Sequence, residues 1–355
     1  MRRTAEVWAL GAALAVPIMA VAQDAPRPFP DRAELTNALE TFDVPGAAMA
    51  LIEGCAVSEV IPAGVADLSI GARVTERTAF EAASLTKPVF AYLMMTLVDD
   101  GRIDLDAPLA DTFAYPRIPD AEGYAALTPR MVLTHRTGLP NWVDEDTVFE
   151  DRTAPIPFGT PPGEAFSYSG EAFQLLQAYV EDRTGTSFEA LFTERLGAIM
   201  PNSVVARPVP EGVEPARGYP AVPEAGNGRE LDDLGDRARA AYSLVTTAGD
   251  YAAFLSHVCA GQGLPEDLRA EMLRAQSPAP MEVVRVGDGP VPPPASWGLG
   301  WMILDLGPVS MVGHGGSNDE FTSFGGFMPE TGDGLVILTN GRNGERMINA
   351  MLMAK

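Results

Sequence analysis

The stretch Glu81-Ala82-Ala83-Ser84-Leu85-Thr86-Lys87-Pro88 sets a hydroxyl group and a lysine three positions apart. Residues i and i+3 lie on one helix face, and Pro88 fits the first helical turn, where its missing N–H is not needed. A helix that begins near Ser84 therefore brings Ser84 and Lys87 together at its positive end, where an alkoxide and a developing oxyanion are favoured. The spacing predicts a serine nucleophile with a lysine beside it.

Lysine is rare in this chain. Of its 25 basic residues, all but Lys87 and the terminal Lys355 are arginine. Arginine keeps its proton in a protein, whereas a buried lysine can fall in pKa far enough to accept one. We therefore expect Lys87 to act as a general base for Ser84. The competing interpretation is a serine N-cap with a lysine in the first turn, although a cation there opposes the helix dipole.

Residues 1–22 have the features of a signal peptide. The basic start Met1-Arg2-Arg3 precedes a mostly apolar run from Val7 to Met19, and Ala20-Val21-Ala22 supplies small residues for cleavage. The apolar run is too short to span a bilayer, and no cysteine follows the cleavage pattern to carry a lipid. We expect a periplasmic or secreted protein with no stable membrane anchor, an uncleaved anchor being the alternative.

Charge and composition argue against several classes of function. The formal net charge is −23 at pH 7, and such a surface repels nucleic acid and anionic lipid. The three histidines are dispersed, and they form no cluster with the two cysteines at the spacing of metal ligands. We expect no nucleic-acid partner, no metal and no cofactor, whereas the oligomeric state stays open.

The two cysteines are Cys55 and Cys259. An exported location permits one disulfide between them. We predict Cys55 at a strand end and Cys259 at the end of a helix that begins at Ala248, so the sequence does not decide whether they are close. Two buried thiols are the alternative that we favour.

Strand patterns lie at both ends of the chain. Near the start, Asp31 to Phe42 predicts an amphipathic helix, and Gly46 to Glu53 and Ala56 to Ala66 predict two strands. The last part predicts four short strands and a helix: Trp297 to Leu304, Val309 to Gly313, Phe321 to Met328, Gly334 to Thr339 and, for the helix, Arg346 to Met353. The middle predicts helices and two surface loops: a long apolar helix from Ser84 to Asp100, helices near Pro129 to Thr134, Gly170 to Thr184 and Phe188 to Leu196, and loops over 201–228 and 277–296.

This order of elements predicts an α+β fold in a single domain over residues 23–355. One antiparallel sheet would be built from both chain ends, at about 23–83 and 297–355, and flanked by helices. A mostly helical lobe, at about 84–296, would be inserted between them.

Three short motifs carry a resemblance to a known family. Ser84-Leu85-Thr86-Lys87, Tyr168-Ser169-Gly170 and His314-Gly315-Gly316 resemble the three active-site motifs of the serine β-lactamase and penicillin-binding protein superfamily, in the same order and at similar spacing. The most similar branch is the class C β-lactamase-like one, which includes D-amino-acid peptidases and family VIII carboxylesterases. Further stretches typical of it are Leu97 to Pro108, Met131 to Pro140, Pro161 to Gly170, Leu244 to Asp250 and Trp297 to Trp301. The resemblance covers nearly all of residues 23–355 and implies the β-lactamase/transpeptidase-like fold.

The resemblance also implies a role for each motif. Ser84 would be the acylated nucleophile, Lys87 its base and Tyr168 a proton relay whose phenolate Lys87 would favour. The oxyanion hole would come from the backbone N–H groups of Ser84 and Ser317. The two adjacent glycines before Ser317, Gly315 and Gly316, would let a substrate backbone approach the strand closely. For Tyr168 the alternative is an aromatic side chain packed at a helix start.

Two positions depart from the family pattern. Gly170 stands where β-lactamases have an asparagine, so an amide for the substrate side chain is missing. His314 stands where they have a lysine, and a histidine is mostly neutral near pH 7. Both changes weaken the case for recognition of β-lactams or D-Ala-D-Ala and favour an esterase or a peptidase of neutral substrates.

We therefore expect an exported serine hydrolase that forms an acyl-enzyme on Ser84. Its partner would be a small-molecule ester, amide or peptide, of small or D-configured type. The alternatives are a true β-lactamase, a D-Ala-D-Ala carboxypeptidase and a non-catalytic sensor on the same fold. An α/β-hydrolase is the competing class of enzyme, but the chain has no G-x-S-x-G elbow. His135 resembles a structural histidine of the family.

Overall fold

The structure is a computed structural model and describes residues 29–143, 153–231, 237–280 and 294–353. The predicted signal peptide and Lys355 lie outside the described residues. Across the described ranges, no helix has both the length and the apolar character that a bilayer crossing requires.

Strands cluster near both ends of the described chain, and helices dominate its middle. The helices are α1 (Arg32–Phe42), α2 (Thr86–Asp99), α3 (Ala121–Ala125), α4 (Pro129–Leu133), α5 (Gly170–Thr184), α6 (Phe188–Leu196), α7 (Ala248–Cys259), α8 (Glu266–Leu273) and α9 (Gly344–Met353), with a 3-10 turn at Leu109–Asp111. The strands are β1 (Gly46–Glu53), β2 (Ala56–Asp67), β3 (Ala72–Arg73), β4 (Thr78–Ala83), β5 (Glu214–Pro215), β6 (Leu244–Thr246), β7 (Ser277–Ala279), β8 (Ala295–Trp297), β9 (Met302–Asp305), β10 (Ser310–Asn318), β11 (Phe321–Phe327) and β12 (Gly334–Thr339).

The main sheet joins the two ends of the chain. Its strand order is β3-β2-β1-β12-β11-β10-β9-β8-β7, and its neighbouring strands run antiparallel. The junction is the pair β1 and β12, in which Ala47 lies opposite Thr339 and Ile52 opposite Gly334. The prediction of an α+β fold with an antiparallel sheet from both chain ends is confirmed.

Both faces of the main sheet are covered. Successive side chains of a strand point to opposite faces, and in β1 Met49 and Leu51 join a core with α1 and α9, whereas Ala50 and Ile52 join the larger core with α2 and α7. Strand β1 is therefore buried over all but its last residue. Helix α2 is buried for most of its length, as its apolar sequence predicts.

Strand β4 was not predicted from the sequence. It forms a second small sheet in the order β5-β4-β6, pairing parallel with β5 and antiparallel with β6. All six of its residues are buried, so the sequence lacks the polar alternation that marks a half-exposed strand. The loop predicted over 277–296 is also only partly a loop, because β7 and β8 stand at its ends and extend the main sheet.

Cys55 and Cys259 form a disulfide, so our preference for two thiols is wrong. The two Cα atoms are 5.4 Å apart, although the residues are 204 positions apart in the chain. The bond joins the turn between β1 and β2 to the last residue of α7, which packs across the same sheet. In the chain-entropy model, closing a loop of this length stabilises the folded state by roughly 5 kcal/mol.

Candidate active site

Ser84 lies on a sharp connection between β4 and α2. The helix begins at Thr86, two residues later than the sequence predicted, because the backbone turns at Ala83, which has a φ of +49°. That conformation is uncommon for a residue with a Cβ atom and is found often at functional sites. The Thr86 hydroxyl donates a hydrogen bond of 2.6 Å to the Ala83 carbonyl and closes the turn. Ser84 is left partly exposed at the tip.

Lys87 points back at Ser84 from the first turn of α2. Its side chain is buried, and Nζ lies 3.0 Å from Ser84 Oγ and 2.8 Å from the carbonyl oxygen of Ala241. Burial lowers the pKa of Lys87 from its usual 10.5 to about 7. A large fraction of this amine is therefore neutral at pH 7 and available to accept a proton.

Tyr168 also contacts Ser84 and directly precedes Ser169, the N-cap of α5. Its phenol is hydrogen-bonded to the Ser84 side chain, and Lys87 Nζ is 4.8 Å from the centre of its ring. Burial raises the pKa of Tyr168 well above its usual value of about 10, and the hydrogen bond to Ser84 opposes this less strongly. The expected preference for phenolate is absent from this structure, because burial favours the neutral phenol.

The third motif lies against the turn that carries Ser84. A Cβ atom on Gly316 would lie 2.5 Å from the Ala82 carbonyl oxygen and 3.0 Å from the Ser84 backbone nitrogen. Glycine is therefore needed here for contact with the nucleophile turn, in addition to the approach of a substrate expected from the sequence. Ser317 is the next residue, and its side chain is exposed. The structure thus brings Gly316, the residue before Ser317, beside the backbone of Ser84.

His314 is buried and neutral. Its Nδ1 donates to the Gly315 carbonyl, and its Nε2 has no hydrogen-bond partner among the described residues. Burial lowers the pKa of His314 to about 3, and the charge of Lys87 acts in the same direction. As the sequence indicated, position 314 supplies no fixed positive charge near pH 7.

Two aromatic residues support the Tyr168 ring. The His135 ring centre is 4.3 Å from that of Tyr168, and His135 Nδ1 accepts a hydrogen bond of 3.1 Å from the backbone of Ser169. Trp297 packs edge-on against Tyr168 at 5.8 Å and against His314 at 5.3 Å. This position agrees with the structural role predicted for His135. Trp297 belongs to a stretch typical of the family, but nothing in its local sequence marks it as a site residue.

Trp142 is a site residue that the sequence analysis missed. A Cβ atom on Gly170 would overlap its indole ring, so the two positions exclude each other sterically. The ring centre of this indole is 5.8 Å from that of Tyr242, and Tyr242 follows Ala241, whose carbonyl accepts a hydrogen bond from Lys87. The aromatic side chains of Trp142 and Tyr242 thus lie where the family has an asparagine amide. No local pattern in the sequence marks Trp142, because its relation to Gly170 depends on the fold.

Comparisons with known proteins agree with this geometry. Residues 32–355 match the family model named Beta-lactamase. The chain is 28% identical to penicillin-binding protein 4 of Amycolatopsis lactamdurans over 323 residues, which cover 87% of this chain and 84% of that protein. It is 32% identical to esterase EstB of Burkholderia gladioli over 160 residues, 38% of this chain and 41% of that one.

A solved structure shows the same fold. The D-amino acid amidase from Ochrobactrum anthropi SV3 superposes with a TM-score of 0.74 at 24% identity, covering 91% of this chain and 99% of the amidase. The family match spans almost all of the described residues and includes the three motifs at the site. The chain therefore belongs to the β-lactamase family and is a serine hydrolase of the β-lactamase fold.

Proposed function

We propose that this protein is an exported hydrolase of small neutral esters or amides, including D-configured ones, which acts through an acyl-enzyme on Ser84. The observation that carries the proposal is the buried amine of Lys87, 3.0 Å from Ser84 Oγ, with its pKa lowered to about 7. A general base is most effective when its pKa lies near the working pH. Lys87 meets that condition at a distance that allows direct proton transfer.

The proton path follows from the three side chains. Neutral Lys87 takes the proton of the Ser84 hydroxyl as Oγ attacks the substrate carbonyl carbon. The backbone N–H groups of Ser84 and Ser317 stabilise the negative oxygen that forms. Tyr168, which keeps its proton and is hydrogen-bonded to Ser84, gives that proton to the leaving group and is reprotonated by the Lys87 ammonium. Water then attacks the acyl-enzyme by the same steps and releases the acid.

The lining of the site supports a neutral substrate. His314 is uncharged near pH 7, so it cannot pair with the carboxylate of a penicillin or a D-Ala-D-Ala peptide. Trp142 occupies the space next to Gly170, which leaves no room for an amide at position 170. An ester or a primary amide with an apolar acyl group needs neither contact.

The names of the relatives support the same range of reactions. One is an esterase, and another is a D-amino acid amidase. Because the esterase match covers 38% of this chain and the amidase is 24% identical, they support the class of substrate and do not identify one.

Two features support export. Residues 1–22 have the sequence of a signal peptide. The disulfide between Cys55 and Cys259 is of the kind that persists outside the cytoplasm.

A fluorophosphonate probe tests the proposal directly. We expect the purified protein to be labelled on Ser84, as shown by mass spectrometry of the peptide, and to hydrolyse p-nitrophenyl acetate. Denatured protein is the control for non-specific labelling. A folded protein that neither reacts with the probe nor hydrolyses any of a panel of short esters and D-amino-acid amides would be the non-catalytic sensor instead.

A further inference from the structure

The two donors of the proposed oxyanion hole come from strands that are not hydrogen-bonded to each other. Ser84 follows β4, which pairs with β5 and β6, and Ser317 lies in β10, which pairs with β9 and β11. No ladder of backbone hydrogen bonds therefore sets the distance between their N–H groups. The contacts that set it are the packing of Gly316 against Ala82, the hydrogen bond from the Ser323 hydroxyl on β11 to the Ala82 carbonyl, and side chains that bridge β4 and β10.

One such bridge is a hydrogen bond between Glu81 and Asn318. Asn318 Nδ2 donates to Glu81 Oε2 at 3.0 Å, and both side chains are buried. Glu81 lies three residues before Ser84, and Asn318 directly follows Ser317. The bond therefore joins the two segments immediately beside the two donors.

The charge of Glu81 is balanced by Arg229. Arg229 Nη1 donates to Glu81 Oε1 at 2.9 Å, and its Nε donates to Glu320 Oε2 at 2.8 Å. Burial raises the pKa of Glu81, and the bonds from Arg229 and Asn318 oppose that rise. Because Glu320 lies in the turn between β10 and β11, Arg229 adds a second link between β4 and the segment that contains Ser317.

Burying the Glu81 carboxylate to 1% exposure costs free energy of desolvation, so it is an unfavourable way to join two strands. A protein with an apolar pair of the same size in this place would often be as stable or more stable. Stability alone therefore does not explain why a carboxylate is buried here. Its two hydrogen bonds fix direction and distance, which apolar contact does less well. A catalytic donor requires that precision, because removal of one oxyanion donor lowers turnover by roughly 10²- to 10³-fold.

We propose that Glu81, Asn318 and Arg229 form a clamp that holds the backbone N–H groups of Ser84 and Ser317 at the separation an oxyanion requires. The three are positioning residues, since none of them touches the reacting atoms. This inference rests on the proposed function, which assigns the oxyanion hole to Ser84 and Ser317.

Two variants test the clamp. Glu81→Gln keeps the size of the side chain and removes its charge. Asn318→Ala removes the link to Ser317 and leaves the ion pair with Arg229 in place. For each we expect kcat for p-nitrophenyl acetate to fall by about 10-fold or more, within the loss known for a missing oxyanion donor. We expect KM to stay within about 3-fold, because ground-state binding does not use the oxyanion geometry.

A boronic acid inhibitor gives the decisive readout, because its adduct with serine places an oxygen in the oxyanion hole. Its Ki should rise by the same factor by which kcat/KM falls, and the pKa seen in the pH profile should stay that of Lys87. The double variant should lose no more than Glu81→Gln alone, since the link that Asn318→Ala removes also runs through the Glu81 carboxylate.

Arg229→Met removes the second link of the clamp and should behave like Glu81→Gln, and Arg130→Met is its matched control. Arg130 also joins two carboxylates, Asp106 and Glu271, and its side chain is 28% exposed compared with 24% for Arg229. We expect Arg130→Met to change Tm but to leave kcat/KM and the inhibitor Ki within about 2-fold.

Each result decides for or against the clamp. An active wild type whose Glu81→Gln and Asn318→Ala variants keep both kcat and inhibitor Ki overturns this inference alone. Two variants that fail to fold, as judged by circular dichroism, also overturn it, because the clamp is then structural. A wild type that neither hydrolyses esters nor labels on Ser84 overturns the proposed function and the clamp with it.

Discussion

The indole of Trp142 occupies the volume that any side chain at Gly170 would need. The glycine is therefore coupled to the tryptophan, and a single replacement at position 170 cannot restore an asparagine amide. The side of the site next to Gly170 is aromatic, with Trp142 and Tyr242 in edge contact. This packing gives a physical reason for the departure from the family pattern at position 170.

The coupling between Gly170 and Trp142 can be tested by substituting the two residues singly and together. Gly170→Asn alone should overpack the site and destabilise the protein by about 1 to 3 kcal/mol. Trp142→Ala combined with Gly170→Asn should recover much of that loss and raise the ratio of nitrocefin to ester turnover. Thermal unfolding and kcat/KM for both substrates check these outcomes. A stable single variant with unchanged kinetics would show that the indole moves aside freely.

Ser84→Ala should abolish probe labelling and lower ester turnover by about 10³-fold or more, because the acyl-enzyme can no longer form. Its circular dichroism spectrum should match the wild type. Ser317→Ala is the matched serine control and should stay within about 3-fold of the wild type, since only its backbone N–H is proposed to act. Persistent labelling on a different serine would contradict the assignment.

Lys87→Arg keeps a positive charge and removes the proton acceptor. We expect kcat to fall by at least ~10²-fold, the contribution typical of general-base catalysis. Ester hydrolysis measured above pH 8 is the best test, because wild-type Lys87 is then mostly neutral. If the arginine variant retains near-normal kcat, Lys87 is a structural cation and the base lies elsewhere.

Activity should rise with pH through about 7. Lys87 is the base only when neutral, and burial lowers its pKa to about 7, so kcat/KM should be half-maximal there and lost progressively below it. The pKa of His314 is about 3 and that of His135 is well below 6.5, so neither histidine can cause the rise in activity near pH 7. The pKa of Tyr168 is raised, so no descending limb from this phenol is expected below pH 9. A profile that is flat from pH 5 to 8 would contradict the role of Lys87.

Short esters should be better substrates than nitrocefin. A penicillin-type substrate loses a charge contact at His314 and an amide contact at Gly170, each costing on the order of 1 to 3 kcal/mol. The combined loss corresponds to roughly 30-fold to 10⁴-fold in kcat/KM. Parallel assays with p-nitrophenyl butyrate and nitrocefin measure the ratio directly. Comparable kcat/KM values would show that another group, such as an arginine, binds the carboxylate.

Much of the fold followed from local patterns. The spacing of Ser84 and Lys87 predicted their contact, since three positions in one tight turn leave little freedom, even though the helix itself begins at Thr86. The predicted bounds of Gly170–Thr184 and Gly334–Thr339 agree with the structure because their turn residues and apolar runs are distinct.

The remaining features depend on contacts between distant residues. Cys55 and Cys259 meet only when α7 crosses the sheet, which no spacing in the sequence reveals. In the sequence nothing distinguishes Glu81 from other polar residues, because its partners Asn318 and Arg229 are distant in the chain and are brought to it by the fold. The pKa of Tyr168 was expected to fall, but burial, which the motif does not report, raises it.

The pairing of β1 with β12 also has a consequence for biosynthesis. Ala47 can pair with Thr339 only after almost the whole chain has been synthesised. Until then one edge of β1 has no partner, and contacts between such distant residues form slowly. A nascent chain that stops before Gly334 therefore cannot complete the sheet that shares a core with α2.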